Sequence, residues 1–187
     1  IPILVTLTFQ DDMRTLFGTN PETAVIVMES MGVDAVGLNC STGPDKMHEV
    51  VQRMLRVSSI PLVVKPNAGL PKLEDGKTTY DMDAEEFAKE MLPLAQMGAT
   101  ILGGCCGTTP LHIRKMIQNL ENVKAEIPEK KQIRALTNER NFLEIDLDGA
   151  FSIVGERINP TGKKNLQEEL RQKKMDLVID MAEEQVA

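Results

Sequence analysis

Tryptophan is absent from this 187-residue chain, tyrosine occurs once and phenylalanine five times. A core of stacked aromatics is therefore excluded, and the interior has to be filled by aliphatic side chains and by the eleven methionines. A Met-lined binding groove is the other use of such residues. Positive charge is also in deficit: 21 Lys and Arg stand against 28 Asp and Glu, giving a net charge of -7 and a pI near 5.0. No basic face is present along the chain to bind phosphates, so a nucleic-acid partner is excluded. No apolar run approaches the roughly 18 residues of a membrane helix, and no basic leader precedes the apolar start. The expectation is a protein without a membrane partner, in the cytoplasm. An initiator Met is missing from position 1, where a strand-like segment begins at once, so the chain is expected to be a piece of something longer.

Cysteine is scarce as well. Three residues, two of them adjacent, do not make a secreted disulfide framework and fit a reducing compartment. Adjacent cysteines rarely bond to each other, because a disulfide needs Cα atoms about 4.4–6.8 Å apart and neighbours across a trans peptide sit at about 3.8 Å.

The residues that are present alternate between two periodicities. Apolar, β-branched runs at 3–9, 33–39, 61–65 and 99–102 read as strands covered on both faces. Between and after them come helical patterns: one capped by Thr19 or Asn20 with Pro21 in its first turn, one opened by Pro44 and Asp45, one over 84–97 capped by Asp81 or Asp83 and stopped by Gly98, and one started by Thr109 and Pro110. Four consecutive strand–helix units imply a parallel sheet. After the third strand, residues 66–80 form a long Pro-, Gly- and charge-rich loop, of the kind that carries function more often than not. The pattern lapses at 122–149, a linker with some local helix. A further strand at 151–154 and helices from Leu166 onward then begin a second α/β domain.

The chemistry gathers at two strand ends. Gly103-Gly104-Cys105-Cys106-Gly107 follows one strand, and Asn39-Cys40-Ser41-Thr42-Gly43 follows another. Gly103, Gly104 and Gly107 are expected to supply the backbone angles that turn two consecutive cysteine side chains toward one point. Three thiols at the carboxyl ends of parallel strands make a zinc site with one open position. Asn39 is placed to support the Cys40 loop. Asn67 either lends its amide oxygen to the metal when substrate is absent or fixes the long loop through its backbone. His48 reads as a surface residue, and His112 as pointing away from the cysteines. Glu85-Glu86 and Glu183-Glu184 read as solvated helix faces.

Gly37-Leu38-Asn39-Cys40, Pro66-Asn67-Ala68-Gly69-Leu70-Pro71, Gly103 through Pro110 with His112-Ile113, and Gly155-Glu156-Arg157-Ile158-Asn159-Pro160-Thr161-Gly162 together resemble the zinc- and cobalamin-dependent methionine synthases. The resemblance implies the second half of a (βα)8 TIM barrel, four βα units at 1–121 that bind homocysteine. A linker at 122–149 follows, and then, at 150–187, the first strand and helix of a second, truncated TIM barrel that binds pterin. It implies that Cys40, Cys105 and Cys106 are the zinc thiolates and that the homocysteine sulfur takes the fourth position. Methylcobalamin on another module is the implied methyl donor, recharged from methyltetrahydrofolate.

Arg157 and Asn159 sit where a first-strand loop reaches a pterin; Arg157 pairing with Glu156 or a neighbouring loop is the structural alternative. Two rival functions remain at this point: a homocysteine methyltransferase using betaine or S-methylmethionine, and an assembly module with structural zinc. Half a barrel leaves strand edges open to self-association, to the missing N-terminal half-barrel or to a cobalamin-binding module. The chain by itself is therefore expected to bind zinc with little or no turnover.

Overall fold

The computed structural model describes residues 1–74, 76–151 and 153–186. In chain order the first elements are β1 (Leu4–Leu7), α1 (Pro21–Ser30), β2 (Ala35–Asn39), α2 (His48–Val57), β3 (Leu62–Lys65), the strands β4 (Pro71–Glu74) and β5 (Lys77–Tyr80), α3 (Ala84–Met97), β6 (Ile101–Leu102) and α4 (Pro110–Asn119). A short 3-10 turn, Pro44–Lys46, precedes α2.

Local chemistry sets the helix ends. Asn20 accepts a hydrogen bond from the Thr23 N–H at the start of α1, and Asp83 accepts from Glu85 and Glu86 N–H at the start of α3, each satisfying donors that a first helical turn leaves unpaired. Gly98 stops α3 in the left-handed region at φ 114°, which a side-chain-bearing residue enters only at a cost.

β1, β2, β3 and β6 form one four-stranded sheet in that order, every pair parallel. Val36, Leu38, Leu62 and Val64 are buried in it, and against them pack Val25 of α1, Val51 and Met54 of α2, Phe87, Met91 and Leu94 of α3 and Met116 of α4. Met47, Met54, Met91 and Met116 all lie in this core, so these methionines act as the aliphatic filling that the lack of aromatics demands. The expected strands are present but shorter: the ladder begins at Leu4, Ala35, Leu62 and Ile101.

Register decides what meets at the strand ends. Asn39 pairs with Lys65, and Val64 with Leu102. The first residues beyond the strands therefore lie side by side, and the ladder continues into the loops: Cys40 N–H donates to Lys65 O at 3.1 Å, Gly103 N–H to Val64 O at 3.1 Å and Cys105 N–H to Pro66 O at 2.7 Å.

Three expectations need correction. Residues 66–80 are not a plain loop, because β4 and β5 pair antiparallel, with Pro71 opposite Tyr80 and Lys72 opposite Thr79; Asp75 lies outside the described residues. The 122–149 segment carries no helix but a second antiparallel hairpin, β7 (Ala135–Thr137) and β8 (Phe142–Glu144). That hairpin is tied to the first domain. Asn20 N–H donates to Arg140 O at 2.9 Å, Thr19 Oγ1 to Glu139 O at 2.7 Å, and the Arg56 guanidinium lies 5.5 Å from the Phe142 ring centre. Charge and proline mask the short β pattern in the sequence, and tertiary anchoring supplies what propensity does not.

The third correction concerns the strand expected at 151–154. Ser152 lies outside the described residues, and Phe151, Ile153 and Val154 belong to no strand and stand 93%, 89% and 86% exposed. A parallel strand is held by neighbours on its edges, and no described residue of the chain pairs with this run.

Two compact units result, Ile1–Ile145 and Asp146–Ala187. The second contains α5 (Lys164–Arg171) and α6 (Asp176–Val186), with Leu166 its fully buried apolar residue among those described. Ala187, read as the end of the last helix, lies outside the described residues.

Candidate metal centre

Cys40 leaves β2 in the left-handed region at φ 58°, and Ser41 follows at φ 67°. The expectation gave such angles to Gly103, Gly104 and Gly107. Of these only Gly107 has a positive φ, 78°, so the sharper bend is made by Cys40 and Ser41 themselves. A non-glycine residue held there costs about 1–3 kcal/mol and persists where the surroundings over-determine it. Here they do: Cys40 N–H is fixed to Lys65 O, and Thr42 N–H donates back to Cys40 O at 2.9 Å.

After β6, Cys105 and Cys106 sit in a turn closed by Thr108, whose N–H and Oγ1 both donate to Cys105 O, at 3.2 and 2.7 Å. The buried Asn67 accepts from Cys106 N–H through Oδ1 at 3.1 Å. Its own N–H donates to Thr42 O at 3.0 Å, which links the Cys106 turn to the Cys40 loop. Asn67 thus bonds both cysteine loops.

The three sulfurs converge. Cys40 Sγ is 2.6 Å from Cys105 Sγ and 4.0 Å from Cys106 Sγ, and the Cys105 and Cys106 sulfurs are 4.0 Å apart. All are free thiols, Cys40 and Cys105 half-buried and Cys106 exposed. Zinc–sulfur bonds of about 2.3 Å in a tetrahedron put sulfurs about 3.8 Å from one another. Two of the three separations match that edge. The third, between Cys40 and Cys105, is shorter than that edge. No His, Asp, Glu or further Cys among the described residues joins the group, so the donor set is three thiolates.

Electrostatics mark the same cluster. The hydrogen bond with Cys105 pulls the Cys40 thiol below its ordinary range against the opposing effect of burial, with Asn39 and Cys106 adding to the pull. Burial pushes the Cys105 thiol up to about 11, and the bond with Cys40 pushes the same way. Asn39, expected to support the Cys40 loop, is one of the groups that lower the Cys40 thiol.

A sequence profile of the family described as Homocysteine S-methyltransferase matches residues 1–120. This chain belongs to that family. It is 32% identical over 186 residues to the methionine synthase of Mycobacterium tuberculosis and 32% identical over 193 residues to that of Mycobacterium leprae, with 99% of this chain covered in each case. The chain spans only 16% of the length of either relative. The likeness to methionine synthases read from the motifs is thus found over nearly the whole length. Among solved structures, the metallated form of the homocysteine methyltransferase MmuM of Escherichia coli aligns with a TM-score of 0.49 and 25% identity, covering 62% of this chain and 34% of that one.

The remaining singled-out residues are placed as follows. His112 is buried, with Nδ1 accepting from Thr109 N–H at 3.3 Å and from its hydroxyl at 2.9 Å. The ring proton therefore sits on Nε2, which donates to Met82 O at 3.2 Å. It ties the start of α4 to the start of α3 and does not reach the cysteines.

His48, half-buried, bonds Asp45 O at 3.1 Å. Glu85 pairs with Lys115 on the surface. In the second unit Arg157 pairs with Glu184 at 3.3 Å rather than with Glu156, and its N–H donates to Gln185 Oε1. Asn159 Oδ1 accepts from Thr161 N–H at 2.9 Å.

A cavity of about 410 Å³ lies beside Asn39, lined by Phe9, Met13, Leu38 and Met47 among others, with no cysteine among its described lining residues. One residue at the sulfur cluster escaped notice in the sequence: Tyr80, the chain's only tyrosine, placed just before the caps of α3. Partial burial first, then Cys106, raise its hydroxyl above the usual phenol range.

Proposed function

We propose that the first unit is the second half of a homocysteine-binding (βα)8 barrel and that Cys40, Cys105 and Cys106 hold a zinc ion there. The observation that carries this reading is the convergence of three sulfurs at the carboxyl ends of β2 and β6, with no His, Asp, Glu or further Cys joining them among the described residues. That face is where barrel active sites lie. A structural zinc site is closed by four protein ligands, whereas a catalytic one keeps a position open. Zinc supplies a Lewis acid that keeps a coordinated thiol deprotonated near neutral pH.

The chain's own residues do the positioning. The register of β2, β3 and β6 aligns the strand ends, Cys40 and Ser41 bend the chain inward, Asn67 ties the two cysteine loops together, and Asn39 favours the thiolate form of Cys40. The substrate is homocysteine and the product methionine. In the longer protein methylcobalamin donates the methyl group and methyltetrahydrofolate restores it. Similarity to methionine synthases through residues beyond the family match supports this donor over betaine or S-methylmethionine.

Residues 150–187 begin a pterin-binding domain in this reading, with residues 122–149 joining the two. A pterin contact by Arg157 requires its release from Glu184.

The test is zinc stoichiometry together with X-ray absorption at the zinc edge, with and without homocysteine. One zinc per chain with three sulfurs, rising to four on addition of homocysteine, is expected. Four protein ligands and no response to the thiol would establish a structural zinc instead. Cys40→Ser, Cys105→Ser and Cys106→Ser each lower zinc affinity at least about tenfold.

A further inference from the structure

Cys106 has an exposed side chain but a closely tethered backbone. Its N–H donates to Asn67 Oδ1 and its carbonyl accepts from Ala68 N–H at 2.9 Å. Both partners stand at the root of the β4–β5 hairpin. That root is closed by Met82 N–H donating to Ala68 O at 3.1 Å, by Leu70 N–H donating to Asp81 Oδ1 at 2.9 Å, and by the Lys72–Asp81 ion pair at 3.2 Å. At its foot Tyr80 pairs with Pro71, and its side chain lies directly on Gly107. A methyl group added to the Gly107 Cα would come within 2.3 Å of Tyr80 Cγ and 2.4 Å of Cδ2. No side chain larger than hydrogen fits between the hairpin and the cysteine turn.

We propose that Tyr80 is a positioning residue for the metal site: its ring, packed on Gly107, braces the Cys105–Gly107 turn and keeps the Cys106 sulfur facing Cys40. The inference rests on reading the three cysteines as metal ligands. Its physical basis is the asymmetry between them. Cys40 is fixed by the sheet ladder and by its own bend, and Cys105 by Pro66 and Thr108. Cys106 has solvent on one side and a glycine after it. Hydrogen bonds to its peptide groups set the height of the turn, and a rigid face is needed to stop it rocking outward. The ring supplies that face, whereas the phenolic hydroxyl is not required for it.

The experiment uses the whole chain as wild type, Tyr80→Phe, Tyr80→Ala and Gly107→Ala. Zinc affinity is read by competition with a chromophoric chelator, the cobalt-substituted protein is read by its thiolate charge-transfer band, and alkylation of each cysteine in the metal-free protein is read by peptide mass mapping. Tyr80→Ala and Gly107→Ala are expected to weaken zinc binding about tenfold or more, to shift the cobalt band and to raise alkylation of Cys106 several-fold while leaving Cys40 near its wild-type rate. Tyr80→Phe is expected to match wild type in all three.

Unchanged affinity and alkylation in Tyr80→Ala overturns the proposal. So does an equal loss in Tyr80→Phe, which would place the effect in the hydroxyl, and so does a uniform rise at all three cysteines, the mark of a loosened fold. If the wild type takes up no zinc, the metal reading fails, and the Cys106 alkylation ratio still decides whether the ring braces the turn.

Discussion

Cys40 carries two burdens that rarely coincide, a reactive thiol and a backbone angle suited to glycine. Its left-handed conformation is the physical reason the sulfur turns inward from the end of β2 rather than continuing the strand alternation. Serine at this position removes the thiol and keeps the strain, whereas glycine removes both. Cys40→Gly is accordingly expected to be about 1 kcal/mol more stable than Cys40→Ser in the metal-free state, strain relief outweighing the greater freedom glycine gives the unfolded chain. Urea denaturation of the two variants checks this, and a less stable Cys40→Gly would mean that the angle at 40 is not strained.

At this scale the sequence exposed the three cysteines and their convergence from two strand ends, because cysteines beside glycines after apolar runs are a chemical signal. It did not expose which residue bends. The three glycines around the pair of cysteines drew attention, and the residues that pay the conformational cost at the first loop have no composition to reveal it. Tyr80 was hidden for a similar reason: its role depends on the hairpin folding back over Gly107, which no local pattern announces.

Between elements, α1 and α2 are joined by a charge pair set largely below the surface. Arg53 donates to both carboxylate oxygens of Glu22, at 2.9 and 2.7 Å, and Arg56 stands at 3.6 Å, while the Glu22 side chain is only 5% exposed. Burial alone raises the Glu22 carboxyl, but the bonds to Arg53 and the two positive charges outweigh it and leave it below its ordinary value. A depressed carboxyl contributes stability that is fully present above the unfolded value, about 4.3, and is lost as pH falls through the lower folded value.

Arg53→Met leaves Glu22 buried with Arg56 as its remaining charged partner, and is expected to cost about 2–3 kcal/mol at pH 7. The gap from wild type should narrow toward pH 3, where Glu22 is protonated in the variant and its buried charge disappears. Denaturation at both pH values measures this, and a gap constant with pH would assign the cost to lost packing.

Elements differed in how readable they were. Helices with a cap and a stop, such as α3 between Asp83 and Gly98, stand out because local chemistry ends them. The hairpins β4–β5 and β7–β8 are set by contacts made elsewhere, the first by the cysteine turn and the second by α1 and Arg56. The run around Phe151 shows the converse, a strand-like sequence that lacks an edge to pair with among the described residues.

For the first unit as a whole, the proposed metal site would also act as a staple. Cys40 and Cys105 are 65 positions apart, on strands separated in the sheet by β3, so one ion bound to both holds the far edge strand against the middle of the sheet. β6 has only two residues and two register pairs with β3, which makes it the weakest rung of the ladder and the one with most to gain.

Binding to the folded state alone stabilises it by about 4 kcal/mol when free zinc is a thousandfold above its dissociation constant. Metal thiolates must lose their protons, so the gain grows with pH across the neutral range, most of all through Cys105, whose proton burial holds most firmly. Zinc is therefore expected to raise the thermal midpoint of the Ile1–Ile145 unit by several degrees at pH 8 and by less at pH 6.5, with a chelator reversing both shifts. Hydrogen exchange should slow first at β6 and the turn after it, while exchange in α5 and α6 of the second unit is unaffected. Equal protection of both units would show zinc binding away from the three cysteines. An unmoved midpoint at saturating zinc and pH 8 would show that the sulfurs do not act together on the fold, since ligation across strands two places apart cannot leave the intervening ladder as weak as before.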